Sequence, residues 1–225
     1  MPDKNVFLGE LTRKELGAAI EGGVVQGAIV PTGATEQHQD HLAMIHDAAS
    51  VSEIAARVAM RFHPQILVTP TIAMSMSEHH MARGGALTVR PEIYVEYVYD
   101  ICHSLKRLGI GRVMVLNGHG GNKWKNLENK APDKGQKLSE LGIKYLTYWE
   151  ACPSSLWEQH LDMDTGAGHA GEFETSFAMV AFPERIRPDQ VNYDSAQLAT
   201  IPKGGNILHT VVESVAGEVQ QMLDE

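Results

Sequence analysis

The chain reads as an α/β protein, and three observations say so. Short apolar runs of strand length alternate along it with longer stretches of helical period. The first three of those runs lead into polar segments rich in histidine, carboxylate or glycine, as strands do when they open onto a pocket. Its 225 residues, 43% apolar and 21% charged, are enough for one domain with a substantial core and too few for two typical ones. A single domain over residues 1–225 is therefore expected.

The elements follow in order. Thr12 and Glu15 form a capping box at the start of a first helix. Residues 24–30 read as a buried strand that Pro31 and Gly33 end. Asp47 opens a helix to about Phe62, with Ala49, Ile54, Ala55, Val58 and Ala59 as its apolar face. Residues 66–72 form a second strand, interrupted by Pro70. Pro91 suits the first turn of a helix to about Leu108, with Ile93, Tyr97, Ile101 and Leu105 along one face and Gly109 and Gly111 stopping it. Residues 112–116 form a third strand. A polar helix then runs from about Asn122, with Pro132 breaking it or marking a boundary. Residues 143–149 are a further strand. Residues 171–181 are helical, with Phe173, Phe177 and Val180 together, and residues 206–223 form the last helix.

Composition excludes several function classes. The net charge is −9 without a basic patch, which argues against a nucleic-acid partner. The cations between Lys123 and Lys137 are interleaved with Glu128 and Asp133 and read as a solvated helix face. Cys102 and Cys152 belong to no CxxC motif, so neither a cysteine metal cluster nor a disulfide framework is expected, and Cys102 reads as core. No apolar run reaches membrane-spanning length, and the first nine residues lack a basic stretch followed by a long apolar one. A cytoplasmic protein without a membrane partner is the expectation.

Three segments carry the chemistry. Glu36-Gln37-His38 leaves the first strand, and two-residue spacing on an extended backbone puts Glu36 and His38 on one side. The pair could grip one metal, or two flanking a bridging group, and Asp47, able to use both carboxylate oxygens, is the natural bridge, although it also suits a helix start. Asn117-Gly118-His119-Gly120-Gly121-Asn122 surrounds a histidine with glycines, which allow close approach of a ligand. Its spacing fits neither GxGxxG nor GxxxxGK[ST], so a phosphate cradle is the weaker reading. His169-Ala170-Gly171-Glu172-Phe173-Glu174-Thr175-Ser176 opens a helix. There Glu172 is expected to complete a metal shell or to serve as a catalytic base, His169 to act as acid or base, and Glu174 to face solvent or a neighbour. A plain helix N-terminus would explain Glu172 alone, but neither His169 nor the glycines.

Ser77 and His79 lie in a candidate substrate loop, where the adjacent His79 and His80 invite a metal reading, with one of them expected at the surface. Trp149 is either a pocket wall or core, and His46 has an outer role beside the ligands. Carboxylate oxygen and neutral imidazole nitrogen suit Zn, Mn and Fe. With an open position such an ion makes hydroxide near neutral pH, so a hydrolase leads. A metal-dependent binding protein with a closed site is the non-catalytic alternative.

The order Thr35-Glu36-Gln37-His38, Asp47, Asn117-Gly118-His119-Gly120-Gly121-Asn122 and His169-Ala170-Gly171-Glu172-x-Glu174-Thr175-Ser176 resembles the creatininase (creatinine amidohydrolase) family, as does Ser77-x-His79 followed by Gly85-Ala86-Leu87-Thr88. The resemblance implies a three-layer α/β/α sandwich with a mostly parallel central sheet. It implies one or two divalent metals per subunit, amidohydrolase chemistry on a small and often cyclic compound, and a homo-oligomer, often a hexamer. Carried over by motif, Glu36, His38, Asp47 and His119 are metal ligands, with Asp47 bridging. Creatininase has a glutamate where this chain has Gly121, and the resemblance passes that ligand to Glu172. Typical members read Glu-Gln-His-Gly-Pro-His-Leu-Pro. Here Gln39, Asp40 and Ala43 depart from that pattern, and His46 replaces a small residue. Those changes argue against creatinine itself and leave formamides, peptide termini and inosose-type cyclic diketones, the last opened by C–C cleavage.

Overall fold

The structure is a computed structural model that describes residues 5–225. Four parallel strands form its sheet in the order β2-β1-β3-β4: β1 (Gly27–Thr32), β2 (Ile66–Val68), β3 (Arg112–Asn117) and β4 (Lys144–Thr147). Alternate residues of a strand face opposite sides, and each side has its own core. Ile29, Met114 and Leu116 pack beneath α2 (His46–Arg61), α6 (Ser155–His160), α7 (Glu172–Ala181) and α8 (Ile201–Asp224). Ala28, Val30, Val113 and Val115 pack against α1 (Arg13–Glu21), α3 (Pro91–Arg107), α4 (Trp124–Lys130) and α5 (Pro132–Glu140). This is the expected three-layer α/β/α arrangement.

The departures have physical causes. The first strand runs through Pro31 instead of stopping before it. The β2 ladder has ended at Val68 by that level, so the missing N–H of Pro31 breaks no pairing on that side. In α3 the every-fourth-residue face drifts round the helix, because four residues turn it 400°. Ile93 and Tyr97 are thus exposed, and Tyr94, Val95, Val98, Cys102 and Leu105 form the buried face. Pro132 does not merely break a helix but starts α5 at its first turn. The Thr12–Glu15 capping box is present, with the Thr12 amide donating to Glu15 Oε2 at 2.7 Å. Among the described residues no helix is long and apolar enough to cross a membrane.

Two glycines set the site. β1 and β3 end in register at Thr32 and Asn117, with Thr147 of β4 beside them. A Cβ on Gly33 would lie 2.5 Å from the Ala48 backbone, and one on Gly118 would lie 2.9 Å from Val51 Cβ and 3.0 Å from the Asp47 carbonyl oxygen. Only glycine at both positions lets the first turn of α2 rest on the strand ends, and that turn carries Asp47.

Candidate metal centre

Asp47 is the hub of a buried cluster beyond the strand ends. Its Oδ1 lies 2.9 Å from His38 Nε2 and its Oδ2 lies 2.9 Å from His119 Nδ1. The far nitrogen of each ring faces a backbone carbonyl, His38 Nδ1 that of Glu36 at 3.1 Å and His119 Nε2 that of Met76 at 3.2 Å. A carbonyl oxygen only accepts, so those far nitrogens carry the protons. The near nitrogens therefore turn lone pairs toward carboxylate oxygens, an arrangement that holds only with a second proton on each ring or a cation between them.

The electrostatics agree. Burial disfavours charge on His38, but Asp47 beside it outweighs burial and holds its pKa up at about 9. His119 is likewise lifted against burial, by Asp47 and Glu36, to about 10. Burial pushes the Asp47 carboxyl up, and the two rings overcome that and hold it well below the usual carboxylate range. Burial raises Glu174 to about 8, with His38 opposing. Without an ion, protons thus do the neutralising.

Glu36 Oε1 lies 3.3 Å from His119 Nδ1 and 3.4 Å from His80 Nε2, while Glu36 Oε2 is buried with no hydrogen-bond partner among the described residues. An orphaned carboxylate oxygen beside inward lone pairs is what a cation site looks like before its ion arrives. Donor atoms of Glu36, His38 and Asp47 lie within 4.8 Å of one another, as do those of His38, His169 and Glu174. The oxygen and imidazole set fits a divalent ion.

Glu172 is the correction. It is fully buried but faces away from this cluster. Lys203 of α8 is its ion-pair partner, and it accepts from the amides of Asp162 at 3.0 Å and Met163 at 3.0 Å. Glu174, expected at solvent or a neighbour, turns inward instead, with Oε2 3.8 Å from His38 Nε2 and Oε1 4.0 Å from His46 Nε2. The two are 200° apart on the helix, and a signal did separate them. Residues 177, 178 and 181, which share the side of Glu174, are Phe, Ala and Ala, an apolar set. Residues 175, 176 and 179, which share that of Glu172, are Thr, Ser and Met.

Gly121 also has a local reason. A Cβ there would lie 2.3 Å from His119 Nε2 and 2.4 Å from the Met76 oxygen. No glutamate fits at that position while His119 keeps its carbonyl partner.

His169 is half-buried at the rim, with Nδ1 3.9 Å from Glu36 Oε1 and its ring 4.5 Å from that of His38. Burial, then the charges of His38 and His80, push its pKa down to about 4. Ala170 between it and Gly171 has φ +52°, and its amide donates to Glu174 Oε2. That left-handed alanine costs about 1–2 kcal/mol and holds the His169 and Glu174 ends of the turn together. Ser77, expected to touch substrate, is fully buried with Oγ 3.4 Å from His119 Nε2, which makes it a support for that ring. His79 is exposed and stacks 5.7 Å from His119. Trp149 follows β4 in a short 3-10 turn, edge-on to Tyr148 at 4.8 Å and packed on the core. His46 is buried 4.9 Å from the ring of His38. Its pKa is well below normal, through burial and then the charge of His38. The sequence reading gave no role to Gln37 and left His80 as either a ligand or the surface member of the His79–His80 pair; Gln37 and His80 both join the rim, and His79 is the exposed one.

Comparison with known proteins shows the family. The family model described as creatininase, creatinine amidohydrolase, matches residues 9–219. A creatinine amidohydrolase of Pseudomonas putida is 26% identical over 256 residues, with 97% of each chain covered. A 3-dehydro-scyllo-inosose hydrolase of Thermotoga maritima is 25% identical over 193 residues, covering 80% of this chain and 60% of that protein. A solved structure named "Creatininase Mn" superposes with a TM-score of 0.82 at 26% identity, covering 97% of this chain and 98% of its own. The orphaned Glu36 oxygen, the inward lone pairs around Asp47 and the fold that carries them are those of an enzyme, a metal-dependent hydrolase, and the chain belongs to the creatininase family.

Proposed function

We propose that this chain hydrolyses a carbonyl compound, small and cyclic, at two divalent ions that share Asp47. One observation carries the reading: both oxygens of Asp47 face imidazole nitrogens at 2.9 Å whose far nitrogens are committed to backbone carbonyls. Glu36, His119 and Asp47 Oδ2 would hold one ion, and His38, Glu174 and Asp47 Oδ1 the other. Glu174 takes the part that the sequence assigned to Glu172. Bound Zn, Mn or Fe would supply activated water and polarise the carbonyl. His169 is neutral at pH 7 and stands at the rim, where it can hold a proton for the reacting carbonyl. The exposed His79 and the partly exposed Trp149 would meet the substrate. The reading further includes a cytoplasmic location and assembly into a homo-oligomer, such as a hexamer.

A specific observation favours one variant, the opening of a cyclic diketone. The rim is polar, made of Gln37, His79, His80 and His169, and the Thermotoga maritima relative is an inosose hydrolase.

The test strips the protein with a chelator, reloads it with Zn, Mn or Fe, and screens cyclic amides, formamides, peptides and cyclic diketones. Turnover that returns with metal is expected. His119→Ala should lose both ion and nearly all turnover, whereas His169→Asn should keep the ions and lose rate. Full metal content and full rate in purified His119→Ala would defeat the assignment.

A further inference from the structure

We infer that Gln37 sets the tautomers of His80 and His169, turning an N–H of each ring toward Glu36 and so keeping both rings from becoming metal ligands. The inference rests on the two-ion reading above and concerns the ring of side chains around it.

The argument starts from one backbone amide. Gln39 has φ +53°, a left-handed conformation for a residue with a side chain, and its N–H donates to Gln37 Oε1 at 3.0 Å. That contact fixes which end of the Gln37 amide is oxygen, because an N–H cannot donate to an NH2 group. The NH2 end consequently faces two imidazoles, His80 Nδ1 at 2.8 Å and His169 Nε2 at 3.0 Å. One amide nitrogen carries two protons, one for each ring. Both rings must accept there, so their protons sit on the opposite nitrogens, His80 Nε2 and His169 Nδ1. Those nitrogens lie 3.4 and 3.9 Å from Glu36 Oε1.

The donor atoms of Glu36, His80 and His169 lie within 4.8 Å of one another, a spacing that an ion would accept. Gln37 withholds the lone pairs that ion would need. The inner rings are set the opposite way, because His38 and His119 give their outer protons to carbonyls and turn lone pairs inward. The centre is thereby ringed by two neutral N–H donors. Such donors suit the negative charge of the Glu36 carboxylate that they face. In this assignment His169 begins the reaction as a hydrogen-bond donor and not as a base.

The experiment is histidine NMR on the full, zinc-loaded chain, with 15N in the imidazoles and long-range 1H–15N correlation to read each tautomer. The wild type is expected to show His169 with its proton on Nδ1, the less common form of a free imidazole in water, and His80 with its proton on Nε2. The reverse pair, or a mixture at either ring, would overturn the inference without any variant.

Gln37→Glu is nearly isosteric and can still accept from the Gln39 amide. Its second carboxylate oxygen must accept from both rings, so both tautomers should invert. With two lone pairs then facing Glu36, the variant should bind one more zinc per chain than the wild type at saturating zinc. Unchanged tautomers in the variant would overturn the assignment, and inverted tautomers without the extra zinc would overturn the claim that Gln37 excludes an ion. A failure of the two-ion reading shows separately, as zinc uptake by the wild type that does not depend on Asp47.

Discussion

Two buried acidic clusters sit at the N-terminus of α7, two residues apart in sequence, and they are neutralised in opposite ways. Glu172 is surrounded by the chain's own donors, Lys203 and the amides of residues 162–164, and Asp164 caps the helix beside it through the Phe173 amide at 3.2 Å. That cluster is complete without help. The cluster of Glu36, Asp47 and Glu174 faces histidines that point lone pairs at it, and one of its oxygens has no partner. Both cost desolvation, and an unpaired buried charge is the costlier state. The difference shows that burial of an acid does not by itself mark a ligand. What marks it is whether the surrounding polypeptide already satisfies it.

Proton linkage sharpens this contrast most. In the metal-free protein His38 and His119 take extra protons, with pKa values of about 9 and about 10, and Glu174 takes one with a pKa of about 8. Ligands must shed those protons to take ions. Below about pH 8, filling both positions should release about three protons, and overall affinity should climb steeply with pH, by up to about a thousandfold per pH unit at tenfold per proton. Calorimetric titration with zinc in buffers of different ionisation enthalpy reads the number directly. No proton release would mean that the histidines are not ligands.

Asp47→Asn comes next. It removes the one carboxylate that faces both inner rings and should lower zinc affinity by more than the roughly 10–100-fold typical of losing an outer partner, at both positions together. Loss of only one ion would break the bridging assignment.

The fold and most of this centre were legible in the sequence because each rests on local pattern. The capping box at Thr12, the alternation of strand and helix, and the glycines around His119 are short-range signals. Asp47 was legible from its own helix start, whereas the room for it is non-local, since Gly33 and Gly118 in the two strand-end loops are what allow α2 to approach. What misled is non-local. Nothing near Glu172 announces Lys203, thirty-one residues later, which with the amides of residues 162–164 satisfies it, although the helical spacing of α7 already sets it on a different side from Glu174. Gln37 lay inside a recognised motif, yet its role depends on rings from two other segments, His80 and His169.

On the self-sufficient side, Glu172→Ala leaves Lys203 and three loop amides without their shared acceptor. The expected cost is about 3 kcal/mol, the low end for breaking a buried ion pair, measured by urea unfolding with unchanged slope. Zinc content per folded chain should stay that of the wild type. If zinc were lost while the fold survived, Glu172 would belong to the metal centre after all.

The smallest effect is the acid dependence of that same pair. Burial pushes Glu172 up, but Lys203 and the loop amides outweigh it, so its folded pKa lies below the ordinary value. The unfolded chain then binds more protons than the folded one in that range, and stability rises with pH there. The contribution is fully present above the unfolded value of about 4.3 and is lost as pH falls through the folded one. The zinc-free protein should therefore lose stability on acidification below about pH 5. Glu172→Gln, which keeps an acceptor for the amides but cannot titrate, should be less stable at pH 7 and flatter over the acid limb. Equal acid slopes in the two proteins would place the titrating carboxylates elsewhere, in the centre whose protons an ion displaces, and would erase the distinction between the two clusters.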